Sequence, residues 1–185
     1  MPARMPRRLL MLLCLAALAV GPTACGNKDT KQGVDEPARE GLALELDDVD
    51  YNVFITRQLN TKITPDKAYF DGPEAAKDET LYGVFIQVCN RSKDTHQTAE
   101  DFKIKDNQGN EFEPEELPPD NAFAYHAGEL APNECIPEAG SVAQLGPTSG
   151  SMLLFRLPLA NTENRPLELE VQGEGDEHLT FELDI

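Results

Sequence analysis

The chain has 185 residues and carries 16 Lys+Arg against 33 Asp+Glu, a formal net charge of −17. That length fits one domain plus a tail. The acidic excess excludes nucleic acid as a partner, because phosphates attract the opposite charge. It also holds the domain off anionic lipid headgroups. Solubility is its plainest meaning, ahead of a role in binding cations.

Residues 1–24 read as a targeting segment, set aside before fold reasoning. Arg4, Arg7 and Arg8 give it a basic start, and Leu9 to Val20 is an unbroken apolar run of 12 residues. A bilayer-spanning helix needs about 20 such residues, so a signal peptide is the better reading. The following stretch, Gly21-Pro22-Thr23-Ala24-Cys25-Gly26-Asn27, resembles a bacterial lipobox. In that signal small residues precede a cysteine that is lipidated and becomes the new N-terminus. Pro22 stands where the signal usually has Leu. The resemblance implies a lipid on Cys25 and a place on the extracytoplasmic face of the cell membrane. The alternative is plain secretion after a cut near Ala24. Two or more acyl chains anchor stably where one does not, at about 0.8 kcal/mol per buried CH₂. Without the three leader arginines the charge is 13 against 33, a net of −20.

Residues 25–41 are polar and nearly free of apolar side chains, so they read as a flexible tether. About 20 residues of such chain span roughly 25 Å. The domain is expected over 42–185. There, short alternating runs recur between turn residues, the pattern of an all-β sandwich or barrel. Val49 to Leu59 is the first expected strand, with Tyr51, Val53 and Ile55 on one face. Thr80 to Asn90 is apolar on both faces: Tyr82, Val84, Ile86 and Val88 on one, Leu81, Phe85 and Cys89 on the other. It is therefore expected at the centre of a sheet. Phe102 and Ile104 open a hairpin that turns through Asp106 to Asn110, with Gly109 at a left-handed position, and Phe112 returns.

Pro114 to Gly146 is long, proline-rich and irregular. Phe123 and Tyr125 are expected to dip from it into the core and, with His126, to form a candidate binding surface. Long ordered loops are often functional; a capping role is the competing reading. Ser151 to Leu157 and Leu167 to Val171 are further strands. Leu179, Phe181, Leu183 and Ile185 alternate with Thr180, Glu182 and Asp184, as in a C-terminal edge strand with an acidic outer face. The count is about seven strands.

With Cys14 in the leader and Cys25 given to lipid, Cys89 and Cys135 remain. In an oxidising compartment such a pair reads as one disulfide. Two buried free thiols or a metal pair are the alternatives. Closing a loop of that size contributes roughly 3–4 kcal/mol through loop-closure entropy.

Four blocks then carry a family resemblance. They are Leu81 to Asn90, a strand ending in Asn; Asp101 to Asp106 with the later Gly109; Glu129 to Glu134; and Gly150 to Leu157 followed by Pro166-Leu167-Glu168-Leu169. In order and spacing they resemble the immunoglobulin-like domains of unknown function found on many Gram-positive lipoproteins. That fold is similar to a secreted immunoprotective antigen of mycobacteria. The resemblance spans about residues 45–173. It implies an immunoglobulin-like antiparallel β-sandwich at the cell surface, and it supplies no catalytic residue. Where such domains usually have Pro-Gly, this chain has Pro132-Asn133, with Cys135 close by. The extra cysteine pair has the look of a subgroup feature.

Tests for chemistry give little. His96 and His178 lie in polar, acidic surroundings, and only His126, beside Tyr125, has the prospect of a shaped environment. No Gly-x-Ser-x-Gly elbow accompanies them. Glu111, Glu113, Glu115 and Glu116 could be paired into a glycosidase site, but such density reads better as a solvated face. Asp106-x-Gln108-x-Asn110 has a faint calcium-loop look. It fails the EF-hand pattern, with Glu111 where Gly is required and Leu117 at the twelfth position. Asp47, Asp48 and Asp50 read as solvation at a strand entry. Asn90-Arg91-Ser92 matches a glycosylation sequon, which has little force in a bacterial chain. No phosphate loop, dinucleotide fingerprint or Cys/His zinc pattern occurs, and no cofactor is expected.

The expectation is a non-enzymatic envelope lipoprotein that displays an acidic sandwich to a protein or envelope partner. A small-ligand or calcium-binding lipoprotein is the first alternative, and an envelope hydrolase the second.

Overall fold

Strand β4 (Glu79–Asn90) organises the fold, because its side chains are buried on both faces. In this computed structural model, which describes residues 31–185, β4 runs between β3 (Val49–Gln58) and β10 (Ser151–Pro158), both antiparallel to it. The leader, Cys25 and the first part of the expected tether lie outside the described residues. The hairpin from β2 (Ala43–Leu46) into β3 extends the sheet to the order β10-β4-β3-β2. Its turn is Asp47-Asp48, both at positive φ (53° and 63°). That is the two-residue geometry matched to strand twist, and Asp tolerates it. The acidic knot is thus a tight hairpin turn.

The second sheet holds β6 (Phe102–Lys105), β7 (Glu111–Phe112), β11 (Glu168–Gln172) and β12 (His178–Glu182), in the order β12-β11-β6-β7. Gly109, at φ 82°, turns the chain from β6 to β7 as expected. The two sheets close on one interior. Tyr51, Val53, Tyr82, Val84, Ile86 and Phe155 meet Phe102, Ile104, Leu169, Val171, Leu179 and Phe181 there. This is an all-β, immunoglobulin-like antiparallel sandwich. It has twelve strands rather than the expected seven, of which seven have four or more residues. The other five are two-residue strands that the sequence reading did not count: β1 (Ala38–Arg39), β5 (His96–Gln97), β7, β8 (Glu129–Leu130) and β9 (Cys135–Ile136).

Three details differ from the sequence reading. Ile55 does not continue the inward face of Tyr51 and Val53. A bulge at Phe54 resets the register, so Val53 opposes Ile86 and Ile55 opposes Phe85. An extra residue inverts the alternation beyond it: Ile55 is 38% exposed and Thr56 is buried. Second, residues 31–41 belong to the folded unit rather than to a free tether. Gly33, at φ 86°, sits against Leu44 and Leu179, where a Cβ would collide with Leu44. Third, β12 is not an open edge. β1 pairs with it in parallel at Phe181 and Glu182, and Thr180 N donates to Gly33 O (2.7 Å).

The outer face of β4 has a core of its own. Leu81 and Phe85 pack there with Leu59, Tyr69, Phe70, Met152 and Leu154. The cover comes from α1 (Asp66–Tyr69) and from residues 117–123. Tyr69 meets Phe85 edge-on at 5.0 Å and Phe123 at 4.9 Å. Arg57 holds α1 to the sheet through a 2.7 Å ion pair with buried Asp66, whose other oxygen accepts from Asn60 N. Phe85→Ala is expected to cost about 3–5 kcal/mol, as for a fully buried aromatic, measured by denaturant unfolding. A cost under about 0.5 kcal/mol, typical of surface positions, would mean this second core is not formed.

Candidate interaction surface

The long irregular segment 114–146 is pinned at both ends. At its start, Glu115 N donates to Leu154 O (2.6 Å). The Glu115 carboxylate takes Arg156 Nε at 2.6 Å. Arg156 is the first cation after Lys105, and it also reaches the carbonyls of Pro73 and Glu74. Further on, residues 123–125 add to the free side of β10: Met152 N donates to Phe123 O (2.6 Å), and Tyr125 N to Met152 O (2.9 Å).

This strand-like passage decides the fate of the expected binding residues. Phe123 packs into the outer core, and Tyr125 packs against the inner one, edge-on to Phe102 at 5.1 Å. Tyr125 Oη donates to Ala99 O (2.8 Å), and Tyr51 Oη accepts from Ala99 N (2.7 Å). Burial pushes both phenols up, Tyr125 well above its ordinary range. His126 is exposed, at the edge of a groove of about 530 Å³ that Glu115 and Glu116 also line. Phe123, Tyr125 and His126 therefore do not form one binding face. The first two dip into the core as expected, but into two different cores.

At the far end, Cys89 and Cys135 face each other across β4 and β9 and are joined as a disulfide. The neighbouring Asn90 is fully buried and fully used. Its Nδ2 donates to the carbonyls of Asp94 (2.7 Å) and Leu130 (2.8 Å), and its Oδ1 accepts from Ser92 N (2.8 Å). Its backbone exchanges bonds with Glu134 and Asn133. The sequon asparagine is thus a structural hub, and a buried polar group of this kind is costly to orphan.

Beyond the disulfide the segment makes a single helical turn, α2 (Val142–Leu145). Ser141 Oγ caps it by accepting from Gln144 N (3.2 Å). A Ser three places before Gln is the sequence mark of such a start. Ala143 is buried, so the turn faces Val142 and Leu145 outward, at 60% and 73% exposure. No other large apolar side chains among the described residues are as exposed. Sequence reasoning passed over this pair, because a four-residue turn has no periodicity to read.

The faint calcium loop resolves differently. The Asp106 carboxylate accepts from the backbone N–H of Gln108 and Asn110 and from the side-chain amides of Asn110, Asn161 and Asn164, all at 2.8–3.0 Å. Burial raises its pKa, but the amide donors outweigh burial and hold it well below the usual carboxylate range. Its oxygens are spent on tying the β6–β7 hairpin to α3 (Leu159–Thr162) and the turn after it. Among the described residues no group of three His, Cys, Asp or Glu side chains is placed to hold a metal ion. His96 lies in β5 and His178 opens β12. No described helix is long and apolar enough to cross a membrane.

Neither a family model nor a curated protein matches the sequence. Among solved structures, the yjhA protein of Bacillus subtilis is 12% identical. The match covers 80% of this chain and 99% of that one, with a TM-score of 0.53. It establishes a shared fold and nothing of an activity. The ycdA protein of B. subtilis, described as a candidate lipoprotein, gives 14% identity over 77% of this chain and 38% of its own, with a TM-score of 0.49. A β-sandwich protein of Clostridium difficile gives 12% over 83% and 100%, with a TM-score of 0.47.

Two outcomes follow from these anchors. Replacing both Cys89 and Cys135 by Ala is expected to lower stability by roughly 3–4 kcal/mol through the reopened loop, read from denaturant midpoints under non-reducing conditions. Unchanged midpoints would show that the bond contributes nothing. Asp106 titrates lower in the folded than in the unfolded state. Its contribution is therefore complete above about pH 4, the unfolded value, and is lost as pH falls toward the folded value. Asp106→Asn should lower Tm by several degrees at pH 7 and flatten its decline below about pH 4. Parallel Tm curves for the two proteins would contradict this.

Proposed function

We infer that the protein is a lipid-anchored, non-enzymatic display module of the cell envelope, presenting an acidic β-sandwich to a protein partner. The observation that carries this reading is the state of segment 114–146. It is irregular in outline yet fixed by two cores, a disulfide and the Asn90 hub. A surface already held in one conformation loses little entropy on binding. Lipidation at Cys25 is supported by the apolar leader and by the small residues before that cysteine. The charge fits a domain that stands away from anionic headgroups. The calcium alternative is weakened at its best sequence candidate, since the Asp106 oxygens already accept N–H donors.

Intact mass of the native protein extracted from membranes tests the anchoring. The expected species begins at a lipidated Cys25 and lacks two hydrogens at Cys89 and Cys135. An unprocessed chain recovered from the cytosol would end the envelope reading. Affinity capture from envelope extracts tests the display role. The variant with both disulfide cysteines replaced by Ser should recover markedly less partner than the native protein, and equal recovery would remove the segment as the contact.

A further inference from the structure

The stretch 106–155 contains nine acidic residues and no Lys or Arg. A run of that length without one cation cannot form internal ion pairs. Arg156, Lys103 and Lys105 supply partners from outside it, to Glu115 and Glu111. Glu134 and Glu138 receive none among the described residues. These two residues and Asn133 line a hollow of about 410 Å³, with Leu130, Cys135 and Ala139 as its apolar wall. Glu134 Oε2 accepts from Ala131 N (2.9 Å). Among the described residues no hydrogen bond engages the Glu138 side chain, and Glu138 O accepts from Ser141 N, the cap of α2. The hollow and the outward pair Val142 and Leu145 are thus consecutive features of one pinned corner.

We propose that this corner is a docking surface for a protein segment that places a Lys or Arg beside an apolar side chain, the cation entering the Glu134–Glu138 hollow and the apolar group covering Val142 and Leu145. The proposal deepens the display reading above and rests on it for its setting. Its physical logic is complementarity. A long cationic side chain buries its aliphatic stem on an apolar wall while its head stays with carboxylates. Opposite charge speeds encounter and selects the partner. Removing Val142 and Leu145 from water provides the apolar centre that a contact of this kind needs. A second copy of this chain is a poor occupant, because it presents the same acids to itself.

The test uses the purified protein and short labelled peptides that alternate lysine with leucine, glutamate with leucine, and lysine with serine, with fluorescence anisotropy as readout. The lysine–leucine peptide should bind and the other two should not. Val142→Ser and Leu145→Ser should each weaken it about tenfold, as should Glu138→Gln. Leu159→Ser, an exposed apolar position elsewhere, should leave it unchanged. Raising the salt to about a molar, where screening acts within roughly 3 Å, should weaken the native complex and leave Glu138→Gln less affected. All substituted positions are on the surface, and equal Tm values confirm intact folding. Lysine–leucine binding that ignores Leu145→Ser and Glu138→Gln overturns the proposal. So does Leu145-dependent binding to phosphatidylcholine vesicles without peptide binding, or Leu145-dependent dimerisation. A lipidated envelope protein that ignores the peptide sinks the docking surface alone. A chain that binds the peptide at this corner but stays unprocessed in the cytosol supports the surface and sinks its envelope setting.

Discussion

A strand buried on both faces is the constraint on which the molecule depends. In a two-sheet sandwich an antiparallel strand can leave its outer face to water, and the sequence of β4 does not permit that. Leu81 and Phe85 point away from the sandwich interior and are almost fully buried. Something other than a sheet must cover them. The chain supplies α1, Phe70, and the passage from Leu117 to Phe123. The irregular segment is therefore no excursion from the fold. It is the second layer over the central strand, and its path across the edge of β10 follows from that duty. The end of β4 extends the same logic. Cys89 and Asn90, the last paired residues of β4, fasten the far part of the segment by a covalent bond and hydrogen bonds.

Much of this was readable in the residues, because local patterns fixed it. The double apolar face of β4, the apolar run of β10, the alternation of β12 and the glycine turn into β7 are all local strand or turn signals. What escaped was long-range. Ile55 carries the right alternation but sits beyond a bulge, and a bulge is invisible until the partner strand is known. The polar 31–41 stretch looked unable to fold because it has little to bury. It is held by backbone pairing with β12 and by Gly33 fitting between Leu44 and Leu179. The same pairing closes the edge that the C-terminal alternation alone leaves open.

The candidate site divides in the same way. The disulfide pair could be read from export and cysteine number. Phe123 and Tyr125 were legible as inward residues of an otherwise polar segment, yet their separation into two cores depends on a crossing at Met152 that no local pattern encodes. Asp106 misled for a physical reason. An aspartate among asparagines and glutamines offers oxygens to a cation or to amide N–H groups, and composition cannot say which. The answer came from Asn161 and Asn164, more than fifty positions away.

Charge and rigidity meet in the acidic corner. Most ion pairs here are strand-surface pairs in the second sheet or clasps such as Arg57–Asp66 and Arg156–Glu115. Exposed pairs of this kind contribute little each. The clasps matter for position, since each ties a covering segment to the sheet beneath it. Arg57 and Arg156 fasten the cover, and at its far corner Glu134 and Glu138 receive no cation among the described residues. That corner is also where the chain is held by Cys135 and buries Ala143, so that it shows water the two most exposed large apolar side chains of the described domain. A carboxylate without a cation can receive one from a partner, and exposed apolar area gains from being covered. Their coincidence on a segment fixed so firmly elsewhere sets this corner apart from the solvated faces around it.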